Sequence, residues 1–291
     1  MKLRPLTWRR WLLVPVALVA IIIVFLFPKW RDASNKGGQQ PAEPFRIAGN
    51  LYYVGANDVA AFLLTGPDGH VLIDGGYPGT AALIMASIAQ LGFDIKDVKV
   101  LLNSHPHFDH AGGIAELQQA SGAKLWMSEG DAHIIAAGGR GDPYMGPLRF
   151  IFPLFRYPAP RVHHRFKDGD TIRLGPIALT AHITAGHTPG CTTWSFPVRA
   201  DDRELRVVDV CSLGAPPVLS LGEHPEIRAE FERTFRTLRS LPVDIWVTAH
   251  ARQFGRYRKF QERGQSADSA APFIDRDGYL RYIDSAEAKL R

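Results

Sequence analysis

The stretch 101–120, LLNSHPHFDHAGGIAELQQA, constrains this chain more than any other. His105, His107, Asp109 and His110 fall within six consecutive positions, between an apolar run and a segment of helical apolar spacing. Three imidazoles and a carboxylate crowded into a strand-to-helix connection suit a fold whose loops meet at the ends of buried strands, where reactive side chains collect. The flanks agree: VKVLLNS reads as a buried strand, AGGIAELQQAS as a helix and AKLWMS as a strand again.

The same alternation runs through the rest of the chain. NLYYVG, VAAFLLTG and HVLIDGG read as three short strands separated by turn chemistry, and GTAALIMASIAQLG as a helix closing on Gly92. Further on, DTIRLG, IALTAHIT, CTTWSFPV, LRVVDVCS and DIWVTAH are strand-like, and HPEIRAEFERTFRTLRSL is an amphipathic helix. APFIDRDGYLRYIDSAEAKLR is expected to close the chain as a helix. Sheets interleaved with helices imply a layered α/β fold, its strands covered on their outer faces by helices. From Ala137 to about Arg165 a Gly/Pro/aromatic stretch is too long and apolar for a simple connection. Its Tyr144, Phe150, Phe152, Phe155 and Tyr157 could roof a cleft, rest on a membrane surface or fill a local core.

The formal charge of +5 says little about partners of the folded part. Residues 1–36 hold Lys2, Arg4, Arg9, Arg10, Lys29, Arg31 and Lys36 against Asp32, a balance of +6 that leaves the remainder near neutral. Nucleic acid is therefore not expected as a partner. The apolar run from Trp11 to Phe27 is near the lower limit of about 17 residues for a bilayer span, and no small-residue cleavage pattern follows it. We read residues 1–30 as a signal anchor, holding the chain in the inner membrane through residues 11–27 with its N-terminus cytoplasmic. A cleaved export signal, including a twin-arginine reading of RRWLL, is the alternative. Residues 31–44 are a polar linker, and residues 45–291 a single domain expected to face the periplasm as a monomer.

In HPHFDH, His105 and His107 lie two apart in a tight turn, so both rings can face one point while Asp109 and His110 aim at a second. Zinc accepts imidazole nitrogen and carboxylate oxygen, and a catalytic site keeps one position for water. The cluster cannot fill two such sites alone. His187, in the Gly/Pro turn of AGHTPGCTTW, and His250, ending the apolar strand DIWVTAH, are the candidates for the rest. His70, His133, His163, His164, His182 and His224 lack a comparable setting.

These motifs resemble those of the metallo-β-lactamase superfamily, and within it those of subclass B3 of the metallo-β-lactamases. His105, His107, Asp109 and His110 carry its H-x-H-x-D-H signature, GHTPGCTTW supplies His187, and the last ligand matches His250. NLYYVG, VLIDGG and PFIDRDGYLRY extend the resemblance over nearly everything from Phe45 onward. It implies an αββα sandwich with two Zn2+ ions at one edge of the sheets. One ion would sit on His105, His107 and His187, the other on Asp109, His110 and His250, with Asp74 bracing the metal loop. The implied activity is opening of the β-lactam ring of penicillins, cephalosporins and carbapenems by a zinc-bound hydroxide that Asp109 orients. Ser212 matches the serine near the metals in this subclass and is expected to touch substrate or bound water.

Relatives of the fold that cleave lactones or thioesters place a bridging aspartate near VVDVCSLG, so Asp209 in that role would mark the alternative activity. HTPGCTTW and DVCSLGAP carry residues of the Ser/Cys/His type, but neither matches a G-x-S-x-G elbow. If CTTWSFPV and LRVVDVC form a hairpin around RADDRE, Cys191 and Cys211 fall opposite each other, within disulfide range. Export would favour the bond.

Overall fold

Strands apolar on both faces need cover on both faces, and side chains that alternate along a strand decide which cover each face meets. The computed structural model describes residues 38–145, 156–215, 224–266 and 268–290. The expected anchor and linker residues 31–37 lie outside them; among the described residues no helix is long and apolar enough to cross a membrane. Strands β1 (Phe45–Ala48), β2 (Leu51–Tyr53), β3 (Phe62–Leu64), β4 (His70–Ile73), β5 (Val98–Leu102), β6 (Lys124–Ser128) and β7 (Val162–Phe166) form a seven-stranded sheet in that order. Strands β8 (Thr171–Leu174), β9 (Ile177–Ile183), β10 (Thr192–Ala200), β11 (Arg203–Val210) and β12 (Ile245–Thr248) form a five-stranded sheet ordered β12-β11-β10-β9-β8.

Parallel neighbours need crossovers, and these carry helices. Helix α1 (Ala81–Gln90) joins β4 to β5, α2 (Phe108–Ala111) and α3 (Ile114–Ser121) join β5 to β6, and α4 (Ala132–Ala136) follows β6. Helix α5 (Pro225–Ser240) connects the parallel pair β11 and β12, and α6 (Arg256–Arg263) and α7 (Arg276–Ala288) follow. On β3, β4 and β5 the period is two. Phe62, Leu64, Val71, Ile73, Val100 and Leu102 pack with Trp194, Phe196 and Val198 of the other sheet. Their neighbours Leu63, Leu72 and Leu101 turn outward onto Ile84 and Ile88 of α1 and Ile114 and Leu117 of α3. Beyond the five-stranded sheet, Phe231 and Phe235 of α5 and Tyr279 and Ile283 of α7 extend the first cluster. The layers are helix, sheet, sheet, helix.

This arrangement sets the site. Parallel β4 and β5 end at Ile73 and Leu102, parallel β11 and β12 at Val210 and Thr248. Asp74, the HPHFDH loop, Ser212 and His250 follow directly.

Several elements depart from the sequence pattern. The HPHFDH turn contains a helical turn, α2. Strands β1 and β7 and helices α4 and α6 carried no clear signal. β1 and β7 are the two edges of their sheet, and in β7 half-buried Val162 and His164 alternate with exposed His163 and Arg165 before the buried Phe166. The C-terminal helix starts later than expected: a 3-10 turn, Ala271–Phe273, precedes it, and Asp275 caps it by accepting the Gly278 N–H at 2.9 Å.

Candidate metal centre

Asp74 leaves β4 at φ 67°, a left-handed conformation that costs a non-glycine residue about 1–3 kcal/mol. Its carboxylate shows what holds it there. Oδ1 accepts the Ser104 N–H at 2.7 Å and Asn103 Nδ2 at 2.7 Å, and Oδ2 accepts the Ser104 hydroxyl at 2.8 Å. The loop that begins the histidine cluster is thus tied to the neighbouring strand end. The glycines of the AGG stretch serve close approach: a Cβ on Gly113 would lie 2.3 Å from the Gly75 carbonyl oxygen.

Five imidazoles and one carboxylate converge here. The rings of His105, His107 and His187 stand edge to face, with centroids 4.8 Å apart for His105 and His107 and 4.7 Å for each of the other two pairs. His107 Nδ1 and His187 Nε2 approach to 3.0 Å. Beside them Asp109 Oδ2 lies 3.3 Å from His110 Nε2 and 3.7 Å from His250 Nε2. Donor atoms of His105, His107 and His187 all lie within 4.8 Å of one another, as do those of His105, Asp109 and His110. His105 therefore stands between the two groups, and His250 reaches the second through Asp109.

Each ring turns one nitrogen inward and sets the other against an oxygen. His105 Nδ1 faces Ser104 Oγ at 3.1 Å, His107 Nε2 faces Asp142 Oδ2 at 3.0 Å, and His187 Nδ1 faces the Gly214 carbonyl at 2.6 Å. His110 Nδ1 has Asp74 Oδ2 at 3.6 Å, and His250 Nδ1 has Asp58 Oδ2 at 3.5 Å. Backing of this kind fixes ring orientation and tautomer in metal sites. Both ring nitrogens of buried His110 lack a hydrogen-bond partner in the protein, so its inward nitrogen is left for something else. Nitrogen and carboxylate donors together, each with its outer face supported, fit a divalent transition metal.

Electrostatics separates the two groups. Burial drives His105 well below the ordinary imidazole range, helped by the surrounding imidazoles of His110 and His187. Burial and neighbouring His107 take His187 down to about 3, and burial and His110 take His250 to about 4. His110 moves oppositely. Burial would lower it, but Asp109, with Asp74 behind, raises it to about 10. Burial would raise Asp109, but His110 and His250 hold it well below the usual carboxylate range.

Three supporting carboxylates had no sequence signal: Asp142, Asp58 and Asp131. Asp131 anchors the loop after His187, accepting Thr188 Oγ1 at 2.6 Å and the Gly190 N–H at 2.8 Å. The space there is tight, since a Cβ on Gly190 would sit 2.1 Å from Ser128 Oγ. Of the aromatic stretch, residues 146–155, including Phe150, Phe152 and Phe155, lie outside the described residues. Tyr157 is a buried anchor that donates to the Pro106 carbonyl at 2.6 Å, and Tyr144 donates to Glu230 Oε2 at 2.6 Å. Ser212 lies at the end of β11, almost wholly buried.

Cys191 and Cys211 form a disulfide with Cα atoms 5.9 Å apart. They are not directly opposite, as the hairpin reading expected. The β10–β11 ladder ends at Trp194↔Asp209, and its register continued would set Cys191 against Ser212; the bridge forms diagonally, past the last paired residues. The two sulfurs and a His105 nitrogen also lie within 4.8 Å of one another. Bonded to each other, the sulfurs offer no thiolate, so this trio is not a zinc site.

The model of the metallo-beta-lactamase superfamily matches residues 54–250, a span that ends on His250. The chain belongs to that superfamily. Native FEZ-1 metallo-beta-lactamase from Legionella gormanii matches this superfamily member at TM-score 0.82 and 34% identity, covering 87% of this chain and 95% of that one. BJP-1, a subclass B3 metallo-beta-lactamase of Bradyrhizobium japonicum, gives 0.80 at 30% identity, with 88% and 95% covered. A hydroxyacylglutathione hydrolase of Jannaschia sp. (strain CCS1) is 30% identical over 117 residues, 40% of this chain. The chain spans only 35% of that relative's length. As a member of the metallo-beta-lactamase superfamily, the protein is a metal-dependent hydrolase with the mixed α/β fold that its motifs imply.

Proposed function

We propose that this superfamily member is a di-zinc β-lactamase of the B3 kind, opening the ring of penicillins, cephalosporins and carbapenems. The observation that carries the reading is the donor set itself. Five side chains, His105, His107, His187, Asp109 and His110, fall in two close donor trios that share His105, and His250 joins the second through Asp109, its Nε2 3.7 Å from Asp109 Oδ2. His105, His107 and His187 hold one ion, and Asp109, His110 and His250 the other. Zinc, when bound, polarises a carbonyl and brings the pKa of a water to about 7.

The chain's own residues do the positioning. The backing oxygens keep the rings aimed, so little reorganises at the moment of reaction, although His110 must first give up the proton it shares with Asp109. Asp109, ionised between two imidazoles, accepts a hydrogen from the attacking water and sets its direction. Asp74 keeps the loop of His105 and His107 fixed to β4. We assign Ser212 a contact with substrate. A periplasm-facing protein tethered through residues 11–27 fits the oxidised cysteine pair, and membrane fractionation tests that placement.

A lactone or thioester hydrolase is the second reading, favoured by the hydroxyacylglutathione hydrolase among the relatives. The deciding experiment gives zinc-loaded full-length protein a carbapenem, an acyl-homoserine lactone and a hydroxyacyl-glutathione thioester, with EDTA and His107→Ala as controls. Carbapenem turnover lost in both controls is expected. Turnover of lactone or thioester alone would move the enzyme to the second reading.

A further inference from the structure

His107 is the one imidazole of the first trio whose outward nitrogen meets a carboxylate. Asp142 Oδ2 lies 3.0 Å from His107 Nε2, and Asp142 is 2% exposed. The second carboxylate oxygen is also engaged: Oδ1 accepts the Tyr144 N–H at 2.9 Å. The short run that carries Asp142 is held independently of His107. The Tyr144 hydroxyl donates to Glu230 on α5, and left-handed Gly138, Gly139 and Gly141 turn the chain into place. Asp142 thus presents an acceptor at a fixed position, and the ring must answer it with a donor.

We propose that Asp142 is a positioning residue that sets the tautomer of His107, keeping the ring proton on Nε2 and Nδ1 free to serve as a metal donor. The proposal rests on the reading of His107 as a zinc ligand. A carboxylate has acceptor sites only, so both of its neighbours must donate. Nδ1, on the other side of the ring, is the atom 3.0 Å from His187 Nε2 and faces the trio.

An asparagine here would have nearly the same shape and the wrong polarity. With its oxygen on the Tyr144 N–H, its amide would donate to His107 Nε2 and force the ring proton onto Nδ1, the atom the metal needs. Flipped, the amide would face the Tyr144 N–H, donor against donor, in a buried place. Alanine removes the acceptor without dictating a tautomer. A packing role therefore predicts that asparagine is the milder substitution, whereas a tautomer role predicts that it is the harsher one.

The test compares wild type, Asp142→Asn and Asp142→Ala as full-length proteins. Zinc affinity is measured by chelator competition, and the His107 ring nitrogens of metal-free protein are read by 15N NMR. Asp142→Asn is expected to raise the dissociation constant of one zinc about 10–100-fold, the usual effect of losing a group behind a ligand, and Asp142→Ala by less. Wild type should show a protonated Nε2 and bare Nδ1, and Asp142→Asn the reverse. Asparagine binding zinc as well as wild type, or better than alanine, would overturn the proposal. So would a protonated Nδ1 in wild type, a reading that needs no variant to fold. A wild type with the expected tautomer that binds no zinc would overturn the ligand reading instead.

Discussion

His105, His107 and His187 meet with no carboxylate among them, whereas His110 and His250 flank Asp109. Both groups are buried histidines, yet His187 is pushed down to about 3 and His110 up to about 10. Burial opposes charge in both places; what sets His110 apart is the inserted carboxylate of Asp109 and the second one, Asp74, behind it. In the first group His105 and His187 are held neutral at pH 7. The second is a preformed ion pair that must release a proton when a metal binds. Residue type alone does not set the character of such a site; the nearest anion does.

The largest effect should come from removing a donor on either side. His187→Ala and His110→Ala should each lower turnover by well over the roughly 100-fold that loss of a supporting group costs, and each should remove one zinc as counted by elemental analysis. If only one variant loses a metal, the two groups are not separate points. Next is the disulfide at the His105 side: Cys191→Ser with Cys211→Ser should cost about 3 kcal/mol in urea unfolding, given the 20-residue separation.

The supports should differ as well. Asp131→Ala strands two buried donors and should cost about 2 kcal/mol. Asp58→Ala, which releases the exposed Arg252 as well as His250, should cost under about 1 kcal/mol. Equal losses from thermal melts would contradict this ranking. The pH dependence of metal-free protein sharpens the contrast further. His187 and His250 have lowered folded values, so the unfolded chain takes up their protons first. The stability they contribute is complete above about 6.5 and falls as pH drops toward 3 or 4, by up to about 1.4 kcal/mol per pH unit for each proton. His110 has a raised value, so its contribution is complete below about 6.5 and fades as pH rises toward 10. Melts that decline on only one limb would show that one group lacks the assigned charge.

Much of the inner frame was legible because it is local. The short apolar runs HVLI and VKVLL mark buried strands, and HPHFDH, His187 and His250 sit where strands end. The edges were not legible: β1 is only four residues long, and in β7 the polar VHHRF has no apolar alternation to read. Nor were the supports. Asp142 lies 35 positions from His107, and Asp131 lies 59 from Gly190. Their pairing depends on the path of the chain through space, which no local spacing records. The diagonal cysteine bridge has the same origin, with Cys211 two positions and Cys191 three positions past the last ladder pair.

The position of that bridge also bears on how the protein matures. Before oxidation, the Cys191 and Cys211 thiols would stand with His105 as a third trio, soft enough to compete for zinc with the histidines beside it. The sulfurs lie on the Nδ1 side of His105, Cys211 Sγ 3.8 Å from that nitrogen, so a chain that meets zinc while still reduced would offer the ion a rival set of donors. Oxidation before loading removes the decoy. The oxidised pair offers no thiolate, so the state of these two cysteines at loading bears on where zinc can go.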